Sequence, residues 1–133
     1  METSLLAKSL AAGLKPGMKI ILSGPMGSGK TTLVRLILDE LGYRGMFQSP
    51  SFTLVQEYPD LGSWPGRLFV RHLDLDRIKT REELQNLGVL EMMEDDSVLL
   101  IEWGEKFPEL LPLASRRIRV EIISETERVW SDF

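Results

Sequence analysis

The sequence predicts an α/β protein with a layered architecture around a mixed, mostly parallel sheet. Three observations carry this. Short apolar runs such as Val98 to Ile101 have the composition of strands buried on both faces. Segments of helical period, above all Lys30 to Leu41, lie between such runs. The interval 52–74 holds two strand-like stretches with no room for a crossover helix, so part of the sheet must be antiparallel. With 133 residues the chain has enough material for one core and too little for two, so residues 1–133 are expected to form a single domain.

Each element has its own signal. Thr3 or Ser4 is placed to cap a first helix with Leu5, Leu6, Leu10 and Leu14 on one side, ended by Gly13, Pro16 and Gly17. Met18 to Leu22 reads as a buried strand entering a glycine-rich turn. From Lys30 the period becomes helical, with Leu33, Leu36, Ile37 and Leu41 on one stripe and Gly42 as the stop. Phe52 to Tyr58 and Leu68 to Asp74 read as a strand pair around the turn-rich 59–66. Thr80-Arg81-Glu82-Glu83 has the form of a capping box for a short helix that ends at Gly88. Val98 to Ile101 reads as the central strand, Glu105 to Leu111 as a helical turn before Pro112, and Ile118 to Ile123 with Arg128 to Trp130 as a closing strand pair.

Composition removes several function classes. Cysteine is absent, which excludes disulfides and thiol chemistry, and His72 is the sole histidine, so no zinc site of ordinary composition is expected. Sixteen basic against twenty acidic residues give a net charge of −4 with no polybasic block, a balance ill suited to tight nucleic-acid binding by the chain alone. Apolar runs fall far short of the roughly 20 residues that span a bilayer, and Met1 leads into a helix-like pattern rather than a signal-peptide core. A soluble, cytoplasmic protein without membrane contact is expected.

Gly24-Pro25-Met26-Gly27-Ser28-Gly29-Lys30-Thr31 fits G-x-x-x-x-G-K-[ST] and sits between a strand and a helix, where a phosphate-binding loop belongs. Glycines at 24, 27 and 29 let backbone N–H groups curl around phosphate oxygens, and the following helix adds its positive end. Lys30 then reaches the β- and γ-phosphates, and Thr31 offers a hydroxyl to Mg²⁺. Thr32 either contacts the α-phosphate or is an ordinary first-turn residue. With the element order, the loop implies the three-layer fold of P-loop NTPases.

Hydrolysis also requires a carboxylate for the metal or the attacking water. Glu102 follows Ser97-Val98-Leu99-Leu100-Ile101, an acid delivered by a buried strand at its carboxyl end. Asp74 ends the strand in His72-Leu73-Asp74-Leu75-Asp76-Arg77 and reads equally as a site residue or a turn former. Asp60, Asp95 and Asp96 read most simply as solvated charges. Ser49-Pro50-Ser51-Phe52-Thr53 is either a Ser-Pro turn or a loop that senses the γ-phosphate. Trp103 reads as a core residue, and His72 as a hydrogen-bonded structural one.

Taken in order, Glu2-Thr3, the glycine-rich loop with Thr31-Thr32, Ser49 to Tyr58, His72 to Arg77, Glu82-Glu83-Leu84 with Gly88, and Ile101-Glu102-Trp103 resemble the TsaE (YjeE) family. That family is a bacterial ATPase of threonylcarbamoyladenosine biosynthesis in tRNA. The resemblance implies ATP and Mg²⁺ as ligands, with Lys30, Gly27, Ser28, Gly29, Thr31 and Thr32 on the nucleotide and Thr31 and Glu102 serving Mg²⁺. It implies that Asp74 is needed for hydrolysis, that Ser51 and Thr53 lie in a nucleotide-sensing loop, and that Thr3 and Arg128 lie near the nucleotide. It further implies docking on the TsaD and TsaB proteins, with tRNA met only indirectly. Asp76 departs from the family's H-x-D-x-Y-R motif, where tyrosine stands. An amino-terminal strand and a carboxyl-terminal extension common in relatives are expected to be missing.

The leading expectation is therefore a Mg²⁺-dependent ATPase, weak alone, in which Asp74 or Glu102 orients the water. A nucleotide-gated binding module with little turnover and a small-molecule P-loop kinase are the alternatives. A GTPase is disfavoured, since the guanine-reading N-K-x-D is absent and the sole asparagine, Asn86, precedes Leu87.

Overall fold

The computed structural model describes residues 2–47, 54–62 and 67–133. Helix α1 (Thr3–Gly13) precedes strand β1 (Lys19–Ser23), which runs through the glycine-rich loop into α2 (Lys30–Glu40). Strands β2 (Val55–Leu61) and β3 (Leu68–Asp74) follow, then the short helices α3 (Arg81–Leu87) and α4 (Val89–Glu94) and strand β4 (Val98–Glu102). Two 3-10 segments, Gly104–Lys106 and Pro108–Leu113, lead to β5 (Arg116–Ile122) and β6 (Arg128–Asp132).

Among the described residues the strands form one sheet in the order β2-β3-β4-β1-β5-β6. Its centre is parallel: β1 pairs with β4 and β5, and β4 pairs with β3. Both edges are antiparallel, β2 on β3 and β6 on β5, so the expected mixed, mostly parallel sheet is what forms. All five residues of β1 and of β4 are buried, which accounts for their unbroken apolar runs. One face packs Ile20, Leu22 and Leu100 against Leu6 and Leu10 of α1 and Leu33, Val34 and Ile37 of α2. The opposite face packs Ile21, Leu99 and Ile101 against Leu84, Val89, Met93, Phe107 and Leu110. Burial on both faces yields three layers and leaves the strand ends as the place for a polar site.

Four expectations need correction. Neither Thr3 nor Ser4 caps α1: Glu2 is the extended N-cap residue and makes no side-chain cap bond. Thr3 is already helical, and its hydroxyl accepts the indole N–H of buried Trp130 at 3.1 Å, a partner that Trp130 requires to enter the core. Gly88, at φ 82°, closes α3 and also opens α4, a helix the sequence did not announce. Its left-handed backbone turns the chain so that Val89 and Met93 reach the core. Asp95 is no free solvated charge: its carboxylate meets Lys19 at 3.4 Å and Arg71 at 2.7 Å. Lys19, 2% exposed, needs such partners to be buried at all. Trp103, read as core, borders the cleft described below. Thr80 does cap α3, its Oγ1 accepting the Glu83 N–H at 3.1 Å, while the Glu83 carboxylate reaches back one residue further to accept the Lys79 N–H at 3.2 Å.

Candidate nucleotide site

The carboxyl ends of β1, β3 and β4 meet where the glycine-rich loop leaves the sheet. Gly24 begins it at φ 149°, packed so closely on β5 that a Cβ would stand 2.4 Å from Val120 Cγ1 and 2.9 Å from Val120 O. Gly29 takes φ 102° as the N-cap of α2 and supplies no side-chain cap, so the first amides of α2 face a ligand site without a protein side chain closing them off. Lys30 is 4% exposed; its ammonium arches back to the Gly24 carbonyl at 2.6 Å and lies 3.7 Å from the centroid of the Trp103 ring. Burial pushes this ammonium below its ordinary pKa, against the pull of the Glu102, Glu105, Asp74 and Asp76 charges.

Asp74 and Glu102 stand side by side in register at the ends of β3 and β4. Thr31 Oγ1 lies 3.0 and 2.9 Å from the two Glu102 carboxylate oxygens. His72, fully buried two residues before Asp74, places Nε2 2.5 Å from Glu102 Oε2. Asp74 Oδ1 accepts the Asp76 N–H at 3.0 Å. Burial first, then the Glu102 and Asp76 charges, raises the Asp74 carboxyl above its ordinary pKa, opposed by that amide.

These groups line a cleft of about 470 Å³ with Gly27, Ser28, Gly29, Thr32, Leu54, Arg77 and Trp103. On the other flank of the loop a crevice of about 430 Å³ is lined by Thr3, Thr32, Glu125, Thr126 and Arg128. Arg128 Nε donates to the Ser28 carbonyl at 3.2 Å, tying the start of β6 to the loop. The structure thus brings Lys30, Thr31, Asp74 and Glu102 into one cleft, puts Thr3 and Arg128 in the crevice, and gives Thr32 a place in both. Ser51 and Thr53 lie outside the described residues.

The donor set suits a hard divalent cation: the Thr31 hydroxyl and Glu102 carboxylate are adjacent oxygens, and a cation such as Mg²⁺ takes oxygen ligands and keeps several waters. Among the described residues no group of three His, Cys, Asp or Glu side chains forms a cation cage, so phosphate and water would complete the shell. Several residues escaped the sequence. Trp103 under Lys30 and Arg77 on the cleft wall stand inside the Ile101-Glu102-Trp103 and His72-to-Arg77 segments, which were the available signal for them, although neither is among the expected site residues; Glu125 and Thr126 in the crevice carry no motif signal of their own.

A parallel-centred sheet whose first strand feeds a G-x-x-x-x-G-K-T loop and helix, with a strand-end acid on the loop threonine, defines a P-loop nucleotide-binding fold. The family model for "Threonylcarbamoyl adenosine biosynthesis protein TsaE" matches residues 1–130, and the chain belongs to the TsaE family. Among curated relatives, the tRNA threonylcarbamoyladenosine biosynthesis protein TsaE of Haemophilus influenzae is 36% identical over 110 residues, 83% of this chain and 66% of that protein. Its namesake in Bacillus subtilis is 35% identical over 127 residues, 96% of this chain and 76% of the relative. The Streptomyces coelicolor protein is 37% identical over 117 residues, covering 87% and 76%. The crystal structure of Bacillus subtilis YdiB superposes with a TM-score of 0.75 at 30% identity, over 98% of this chain and 76% of that one. No helix among the described residues is long and apolar enough to cross a membrane.

Proposed function

We propose that this chain is a Mg²⁺-dependent ATP-binding protein and ATPase that serves threonylcarbamoyladenosine modification of tRNA in the cytoplasm, acting as a single domain with the TsaD and TsaB proteins. The observation that carries the reading is the Thr31–Glu102 contact at 2.9 Å, which joins the loop's hydroxyl to the strand-end acid beside Lys30. Family membership supplies the pathway; the site supplies the chemistry.

Backbone amides of residues 27–32 and the Lys30 ammonium would bind the phosphates, with Lys30 leaving the Gly24 carbonyl and Trp103 to do so. Thr31 and Glu102 would hold Mg²⁺, which when bound offsets charge on the β- and γ-phosphate oxygens. Asp74, beside Glu102 and raised in pKa, is the better candidate to orient water, because Glu102 is already engaged by Thr31 and His72. The crevice with Thr3, Thr126 and Arg128 would take the nucleoside end, while Ser51 and Thr53 would sense the γ-phosphate. Docking on TsaD and TsaB would complete the enclosure of that phosphate, and tRNA would be contacted by those partners.

Multiple-turnover phosphate release, with and without TsaD and TsaB, tests the reading. Slow release alone and faster release with both partners is expected. Recovery of the partners with a non-hydrolysable ATP analogue, with ADP and without nucleotide should differ among the three. Equal recovery would rule out nucleotide-gated docking, and phosphate transfer to a small acceptor in place of water would favour a kinase.

A further inference from the structure

A lysine ammonium has three N–H donors on a flexible stem, and an exposed lysine ordinarily leaves them to water. Lys106 spends all three on one loop. Its Nζ donates to the carbonyls of Leu75 at 3.2 Å, Asp76 at 2.7 Å and Ile78 at 2.8 Å. Among the described residues it forms no ion pair, so these carbonyls are its whole engagement.

The loop it holds is the one that leaves β3 after Asp74 and contributes Asp76 and Arg77 to the cleft. The Leu75 carbonyl and the Asp76 N–H belong to the same planar peptide unit, so fixing one oxygen fixes the direction of that N–H. The Asp76 N–H grips Asp74 Oδ1 at 3.0 Å, and the Leu75 N–H is held by the Glu102 carbonyl at 3.0 Å. A rigid path therefore runs from the Lys106 ammonium through one peptide plane to the Asp74 carboxylate.

The base of this path is itself anchored. Lys106 closes the Gly104–Lys106 turn, and a Cβ at Gly104 would stand 3.1 Å from Ile101 and 3.2 Å from Ile21, so the turn lies directly on β4 and β1. Glu105 of the same turn accepts the Ser23 hydroxyl at 2.6 Å, at the end of β1 where the phosphate loop begins. One short turn thus links the ends of all three strands that bear the site.

We propose that Lys106 is a positioning residue, which acts on turnover by orienting Asp74 through the 75–78 loop; this rests on the cleft being an ATPase site. In nucleotide-free protein, Lys106→Met should speed amide hydrogen exchange over residues 75–78 by at least about tenfold. Lys106→Arg, which keeps N–H donors, should recover part of the protection. With TsaD and TsaB present, Lys106→Met should lower kcat for phosphate release about tenfold or more while leaving KM for ATP within about twofold. The same change placed on Asp74→Asn should cost nothing further, since its route runs through that carboxylate. Unchanged exchange, or losses that multiply in the double variant, would overturn the proposal. Wild-type protein that releases no phosphate under any condition would instead remove the ATPase reading and the role in turnover with it, a result recognisable without any variant.

Discussion

His72 Nε2 stands 2.5 Å from Glu102 Oε2, and the opposite ring nitrogen, Nδ1, is buried without a hydrogen-bond partner among the described residues. A carboxylate oxygen can only accept here, so Nε2–H donates, and the ring serves Glu102 at the expense of its other nitrogen. Glu102 is 4% exposed and also receives the Thr31 hydroxyl, so His72 and Thr31 together make its burial tolerable. His72→Ala should destabilise the fold by about 2–4 kcal/mol, from an under-paired buried acid and a cavity beside β4. Urea unfolding is the measurement. A loss under about 1 kcal/mol would mean that Glu102 finds another donor.

Two positions of the phosphate loop should fail in different ways. Lys30→Ala removes the buried ammonium from the cleft and should weaken ATP binding by on the order of a hundredfold or more, with little effect on folding. Gly24→Ala should act on the fold: its Cβ would overlap Val120 across β5, at a φ that side chains rarely adopt. A cost of about 2–4 kcal/mol in unfolding is expected, with nucleotide affinity lost in step. Calorimetry beside denaturation separates the two, and unchanged ATP affinity in Lys30→Ala would sink the nucleotide assignment.

The two acids should also separate. Asp74→Asn keeps the size of the side chain and one acceptor oxygen, so ATP binding should persist while turnover with partners falls on the order of a hundredfold. Glu102→Gln should shift the Mg²⁺ concentration required for activity, because its oxygens adjoin the Thr31 hydroxyl. Wild-type turnover in Asp74→Asn, measured with both partners present, would remove its catalytic role.

What could be read from the sequence was local. The phosphate loop, Glu102 and Asp74 each sit in a short segment whose spacing and strand context announce a role, and Val98 to Ile101 reports its burial through an unbroken apolar run. The remainder joins residues distant in sequence, where period and motif carry no information. Arg128 reaches a loop carbonyl 100 residues away, and Trp130 finds Thr3 at a separation of 127. Lys106 looked like any solvent-facing lysine because its partners are carbonyls, which every residue possesses. Asp95 looked solvated because Lys19, its buried partner, sits on a strand 76 residues earlier.

Asp74 and Asp95 flank opposite ends of the central sheet and should respond to pH with opposite signs. Burial and the neighbouring acids raise the Asp74 carboxyl above its ordinary 3.8 in the folded state. Its contribution to stability is therefore complete below about pH 3.8 and is lost as pH rises through the folded value, so at pH 7 an ionised Asp74 costs stability. For Asp95, burial alone would raise the carboxyl, but hydrogen bonds from Ser97 and Arg71 and the charge of Lys19 hold it well below 3.8. Its contribution is present above 3.8 and is lost as pH falls through the lower folded value. In nucleotide-free protein at pH 7, Asp74→Asn should then unfold at higher urea than wild type and Asp95→Asn at lower urea. At about pH 3 the Asp74→Asn gain should vanish, because a protonated aspartate and an asparagine are alike in charge, while the Asp95→Asn deficit should narrow. A stabilised variant that is also a poor ATPase would mark Asp74 as a group held ionised for function against the preference of the fold. If Asp74→Asn is less stable than wild type at pH 7, the carboxylate is structural, and its ionisation carries no cost to the fold.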